Sequence, residues 1–154
     1  YLFPQLFIYA RDYSNALSSA NQLLKGAPDD PTGLFFKGIS SIQLHAYQDA
    51  IPPLTRLMTL QTTNYAAQLN RAIAYLQATN LTAARHDYEA VVKVLPKTYQ
   101  AYYGLAEIAS LEKDVPAVIK NYQLYLTNAP PDTEEAKSIS TRLKELQPVK
   151  PDQR

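Results

Sequence analysis

Ala72-Ile73-Ala74-Tyr75, followed by Ala84, Tyr88 and Val91 and closed by Pro96, is one copy of a phrase that returns every thirty-four residues. Counting back from Ala84 by that interval lands on Ala50 and then on Ala16, and counting forward lands on Val118. Four residues after each of these sites stands an apolar or small residue: Ala20, Leu54, Tyr88 and Tyr122. That spacing puts both side chains on one face of a helix. The closing proline recurs at Pro28, Pro96 and Pro130, with Thr62 the one departure. A fixed period of this length marks a chain built from stacked supersecondary units.

The bulk properties bound what such a chain can do. Its 154 residues suit one domain of ordinary size with a core of its own. Charged residues make up 19% and the formal net charge is +1, which gives no electrostatic basis for holding nucleic acid or an acidic membrane surface. Cysteine is absent, which excludes disulfides and thiolate metal sites and leaves the compartment open. No apolar run approaches the roughly eighteen residues needed for direct membrane insertion. The chain opens at Tyr1 with no initiator Met, inside an expected helix, so we expect a fragment or processed product of something longer. Any targeting segment would then lie upstream, and a cytoplasmic and a periplasmic setting both stay open.

Along the chain, helices are expected in pairs. Leu2, Phe3, Leu6, Phe7 and Ile8 suit a buried helix that begins before Tyr1. Asp12 reads as the cap of the next helix, which Gly26 and Pro28 stop. Asp30-Pro31 restarts the chain in the favoured order of cap and then proline. Pro52-Pro53 falls near the end of the first turn of the following helix, where Pro53 is expected to remove a bond and bend it. Asn80 and Asp114 cap later helices. Asp132, with Glu135 three residues on, reads as a capping-box variant opening a final helix. That helix carries Ala136, Ile139, Leu143 and Leu146 on one stripe and charges elsewhere, as a terminal cap over an open flank requires. The expected division is a partial repeat over 1–30, full repeats over 31–64, 65–98 and 99–132, a capping helix over 133–146, and a tail or linker over 147–154.

The pattern resembles the tetratricopeptide repeat. In that family the first helix wants a large apolar residue, Leu, a small residue and an aromatic, and the second wants Ala, an aromatic, a small or apolar residue and Pro. The fourth repeat supplies Tyr102, Leu105, Ala106, Ala109, Val118, Tyr122, Tyr125 and Pro130. The third supplies Ala72, Tyr75, Ala84, Tyr88, Val91 and Pro96, but puts Gln68 and Arg71 where apolar residues belong. The second supplies Leu34, Gly38, Ala50, Leu54 and Leu57, and departs at Lys37, Ser41 and Thr62. The resemblance covers about residues 1–132 and implies an all-α fold, a right-handed α-α superhelix of helix pairs with a C-terminal capping helix. Pentatricopeptide and half-a-tetratricopeptide repeats are near rivals. Both usually serve RNA, for which this chain lacks the basic surface.

No catalytic constellation, metal site or cofactor motif stands out, and the chain reads as a non-enzyme. His45 and His86 sit at polar positions near the starts of second helices. Gly26, Gly33, Gly38 and Gly104 form no phosphate loop. Tyr75, Tyr88, Tyr102, Tyr122 and Tyr125 occupy packing positions. The resemblance implies that the first helices line a concave groove. Its members would be Gln5 and Tyr9; then Phe35, Phe36, Ile39 and Gln43; then Leu69, Asn70, Ile73 and Gln77; then Tyr103 and Glu107. Chaperone-binding relatives grip a terminal carboxylate there with Lys, Arg and Asn, of which only Asn70 is present. The groove is instead apolar and aromatic, which suits a protein or peptide partner offering Leu or Phe anchors. The alternatives are that these residues pack within the superhelix, that they mediate self-association into a homo-oligomer, or that the domain is the docking or regulatory module of a longer enzyme or envelope-assembly protein.

Overall fold

Most of the described helices start where a side-chain oxygen takes up a free backbone amide. In the computed structural model, which describes residues 4–147, Asp12 accepts from the Asn15 amide and opens α2 (Tyr13–Gly26), following α1 (Pro4–Tyr9). Asp30 accepts from the Gly33 amide at 2.8 Å and opens α3 (Pro31–Gln43), with Pro31 at the position where a missing N–H costs nothing. α4 (Tyr47–Leu60) has no side-chain cap, and Asn64 caps α5 (Tyr65–Gln77) through the Ala67 amide. Asn80 reaches the Ala83 amide in α6 (Leu81–Val94), and α7 (Tyr99–Leu111) follows. Asp114 caps α8 (Val115–Asn128). The cap of α9 (Glu134–Leu146) is Thr133, whose hydroxyl accepts from the Ala136 amide at 3.1 Å, and not Asp132 as the sequence suggests. The two positions are adjacent and both polar, so composition could not choose between them. Among the described residues there are only helices, and no strand.

The turn inside each helix pair is the same four times over. Arg11, His45, Thr79 and Lys113, spaced by the repeat interval, all have positive φ, between 55° and 63°. Around each, one amide bonds back three residues (His45 N to Ile42 O, 3.0 Å) and the next bonds back five (Ala46 N to Ser41 O, 2.8 Å). This double closure satisfies the last carbonyls of the first helix and reverses the chain. The second helices end at an equally regular spacing, on Ala27, Gln61, Leu95 and Ala129, each bonding back four residues.

The chain divides into two compact units, residues up to Asp87 and from Tyr88 onward, the division falling within α6. In the first, α1, α3 and α5 lie side by side as one layer, with α2 and α4 packed on it. Its core is Leu34, Ile42, Ala50, Leu54, Leu57, Ala67 and Ala74. Gly38 of α3 lies under Leu54 of α4: a methyl group there would sit 2.5 Å from the Leu54 side chain, so only glycine admits the approach. In the second unit, Tyr102, Ala106, Val118, Tyr122 and Tyr125 form the core, which α9 covers with Ala136 and Ile139, assisted by Leu143 and Leu146. Here Gly104 of α7 lies beneath the ring of Tyr88, and the Tyr102 hydroxyl donates to the Pro96 carbonyl at 2.8 Å.

Gln68 and Arg71, out of place by sequence, belong to a buried polar cluster. Arg71 grips Asp87 with two nearly parallel bonds of 2.7 and 2.8 Å, and its third nitrogen donates to Thr55 Oγ1 at 3.1 Å. Gln68 adds a bond to the same carboxylate at 3.3 Å, and the guanidinium lies 5.6 Å from the centre of the Tyr75 ring. Asp87 is 1% exposed, so removing either partner would leave a polar group uncompensated in a dry site. The hydrogen bonds that Arg71 donates to Asp87 are the main cause that raises the Arg71 pKa.

Pro52 and Pro53 do not interrupt α4, which runs unbroken through both. The carbonyls of Gln48 and Asp49 nevertheless lose their helical donors, since neither proline carries an N–H. The expected tail lies outside the described residues apart from Gln147, and so do Tyr1, Leu2 and Phe3 of the expected first helix.

Two stability measurements follow from this packing. Asp87→Ala should lower the urea-unfolding free energy by about 3 kcal/mol, the partly wetted Arg71 keeping the loss at the lower end of the buried-pair range. The double change Arg71→Met with Asp87→Leu should recover most of it, and a double variant no better than the single would refute the matched-charge account. Gly104→Ala should cost about 1–3 kcal/mol by overpacking against Tyr88, read from the same titration.

Candidate binding surface

Ten of the twelve groove residues proposed from sequence lie in the first unit, on α1, α3 and α5. On α3, Phe36, Ile39 and Gln43 recur at helical spacing and share a face. Phe36 and Ile39 are half-buried and Gln43 is exposed. Phe35, one residue from Phe36, is turned about 100° away by the helix and packs against the first unit's core. The two rings still meet edge to face, with centroids 5.7 Å apart. On α5, Leu69 and Asn70 are half-buried, Ile73 packs against the same core as Phe35, and Gln77 is exposed. The Asn70 amide donates to the Ala66 carbonyl at 2.8 Å, a bond within its own helix. On α1, Tyr9 is 79% exposed and its hydroxyl is 3.4 Å from Gln5 Nε2. Phe35 and Ile73 are therefore shared between surface and core, while Phe36, Ile39 and Leu69 leave apolar area uncovered on neighbouring helices.

Tyr103 and Glu107 lie in the second unit, one turn apart on α7, both half-buried. Tyr103 also leans on Tyr125, with ring centres 6.1 Å apart. Burial raises the Tyr103 phenol above the usual range, and the Glu107 carboxylate raises it further by opposing a second negative charge. Tyr125, in the core behind it, is pushed up to about 12 by burial first and by Glu135 next. These phenols stay neutral well into alkaline solution, so on α7 Tyr103 offers a hydroxyl beside the Glu107 carboxylate, while Tyr125 of α8 stays within the core. The histidines are elsewhere: His45 occupies the turn after α3 and hydrogen-bonds the Tyr47 hydroxyl at 2.6 Å, and His86 is exposed on α6.

Sequence reasoning marked Lys37 and Ser41 as departures and gave them no use. Both line a cavity of about 380 Å³ in the first unit, together with Asn21, Asp49 and Pro53. The signal was present in those two misfits. What sequence could not supply was the neighbour on α2 and the doubled proline on α4 that complete the walls.

Helix pairs of constant length, joined by identical turns and closed by a half-charged final helix, define an α-helical repeat protein of the scaffold class. The chain belongs to the tetratricopeptide repeat family, whose model matches residues 5–61 and 69–133. It is 29% identical over 127 residues to the tetratricopeptide repeat and J domain-containing co-chaperone DNJ1 of Cryptococcus neoformans var. grubii. That match takes in 82% of this chain and 22% of the co-chaperone, so the chain spans about a fifth of that relative's length. Among solved structures it is similar to MamA from Desulfovibrio magneticus, at 20% identity and a TM-score of 0.74, over 97% of this chain and 93% of that one. It is also similar to a thermophilic tetratricopeptide repeat protein of Thermus thermophilus, at 16% identity and a TM-score of 0.76, over 94% of this chain and 79% of the other. At such identities the structural likeness speaks for the fold alone. The fold is generally a non-enzymatic scaffold for protein–protein interaction. No helix among the described residues is long and apolar enough to cross a membrane.

The Glu107 effect on Tyr103 can be measured directly. Glu107→Gln should lower the alkaline midpoint of Tyr103, followed by NMR of ring-labelled tyrosine, yet leave it above the ordinary value because the burial remains. An unchanged midpoint would show that the carboxylate does not act on the phenol.

Proposed function

We propose that the first unit holds an extended segment of a partner protein against the uncovered side chains of Phe36, Ile39 and Leu69, with Gln43 and Gln77 bonding its backbone at the edges. The observation that carries this reading is a run of half-buried apolar residues on adjacent helices with polar, uncharged amides beside them. Such a surface rewards a partner's Leu or Phe anchors through the area they remove from water. It offers no cluster of cations for a terminal carboxylate or a phosphate. Tyr103 and Glu107 are proposed as polar contacts of the second unit, and 31–64, 65–98 and 99–132 as the repeating divisions of the domain. The relationship to a co-chaperone agrees with a partner that displays apolar segments. A second reading, that the chain is the docking or regulatory module of a longer protein, is favoured by the relative in which the matched stretch is a minor part of the whole.

The test uses a fluorescent extended peptide with Leu and Phe at alternate positions and a control with Asn there. Anisotropy should show saturable binding of the first only. Phe36→Asp and Leu69→Asp should each weaken it at least about tenfold, as removal of an anchor contact does, while circular dichroism stays unchanged. Equal binding of both peptides, or full affinity in both folded variants, would remove this surface from consideration. Sedimentation of the free protein as a dimer that dissociates in the same variants would assign the surface to self-association instead.

A further inference from the structure

Two neighbouring repeats of the first unit treat one position in opposite ways. In the later one, Arg71 is matched by Asp87 and Thr55, with the Tyr75 ring alongside. Thirty-four residues earlier the corresponding residues are Lys37, Pro53, Asn21 and Ser41. The cation is kept, but the carboxylate that met it has become a proline ring, and the phenol beside it has shrunk to a hydroxymethyl. The 380 Å³ cavity lies among these four residues.

The rest of its lining is informative. Leu17, Pro52 and Pro53 make apolar wall, and Asp49 adds a negative charge. Lys37 and Asp49 therefore face one cavity, yet among the described residues no ion pair joins them. The Asp49 backbone carbonyl is the one that Pro53 leaves without a helical donor. The cavity thus combines donor residues (Lys37, Asn21, Ser41), an acceptor residue (Asp49) and an apolar wall. Its volume falls near the lower end of the ligand-site range of roughly 300–1,000 Å³.

We propose that this cavity binds a free apolar α-amino acid. Its carboxylate takes the place at Lys37 that Asp87 holds at Arg71, with Asn21 and Ser41 donating to it. Its ammonium bonds Asp49, and its side chain lies on Leu17 and the two prolines. A simple carboxylate would be repelled by Asp49, and a simple amine by Lys37, so a zwitterion is the species that satisfies both charges. The site is independent of the peptide surface: Lys37 and Ser41 lie roughly 150° around α3 from the mean direction of Phe36, Ile39 and Gln43.

The experiment is a ¹H–¹⁵N titration of the full chain with L-leucine, with isovalerate (no ammonium) and isoamylamine (no carboxylate) as comparators. Leucine should give saturable shifts centred on the amides of Asn21, Lys37, Ser41 and Asp49. Each comparator should bind at least about tenfold more weakly, because it leaves one charged group of the site unmatched. Lys37→Met and Asp49→Asn should each abolish saturation while leaving the remaining spectrum in place. Absence of saturable shifts with leucine, equal binding by either comparator, or unaltered leucine binding in both folded variants would overturn the proposal.

Discussion

Side chains that are nearly absent hold this molecule together. Two helices can approach closely only where one of them offers almost no bulk at the crossing, and here that allowance is made at fixed intervals. Ala16, Ala50 and Ala84 are wholly buried at the repeat spacing. Gly38 receives Leu54, and Gly104 receives Tyr88. Bulk on one helix is answered by its lack on another, and the dense interior that results leaves little latitude for either member to change size. Everything else, from the shared turn to the exposed faces of α3, is oriented by these crossings.

That constraint explains why the fold was legible in the sequence. Alanine and glycine at a fixed period are visible without coordinates, and so is the stripe of Ala136, Ile139, Leu143 and Leu146 that settles α9 onto the second unit's core. What stayed hidden were pairings between residues whose own positions looked ordinary or wrong. Gln68 and Arg71 read as failures of an apolar pattern because their partner, Asp87, looks like any charged residue on a helix surface. Only the folded chain brings it, sixteen positions on from Arg71, into a closed and dry contact. Phe35 and Phe36 posed the opposite difficulty. Both are large, apolar, adjacent and half-buried, and sequence assigned both to the groove; only the folded chain shows that Phe35 also packs against the first unit's core.

The departures from the repeat frame are where the chain acquires chemistry. A tetratricopeptide pair that follows the pattern keeps a neutral interior, as the second unit does with Tyr102, Tyr122 and Tyr125. The third repeat replaces part of that interior with an ion pair. The second replaces it with an opening. Because the packing of each pair depends on its immediate neighbours, such exchanges can be made in one repeat without disturbing the frame of the others.

The turn at Arg11, His45, Thr79 and Lys113 shows the other side of building by repetition. None of the four is glycine, yet each holds a left-handed backbone that disfavours a side chain by roughly 1 kcal/mol. A motif multiplied along a chain multiplies its local discomfort as well. The array consequently rests below the stability its own architecture permits. Because that reserve is spread evenly over four turns, glycine could release it there one corner at a time, with neither the exposed apolar side chains of α3 and α5 nor the cavity side chains being touched.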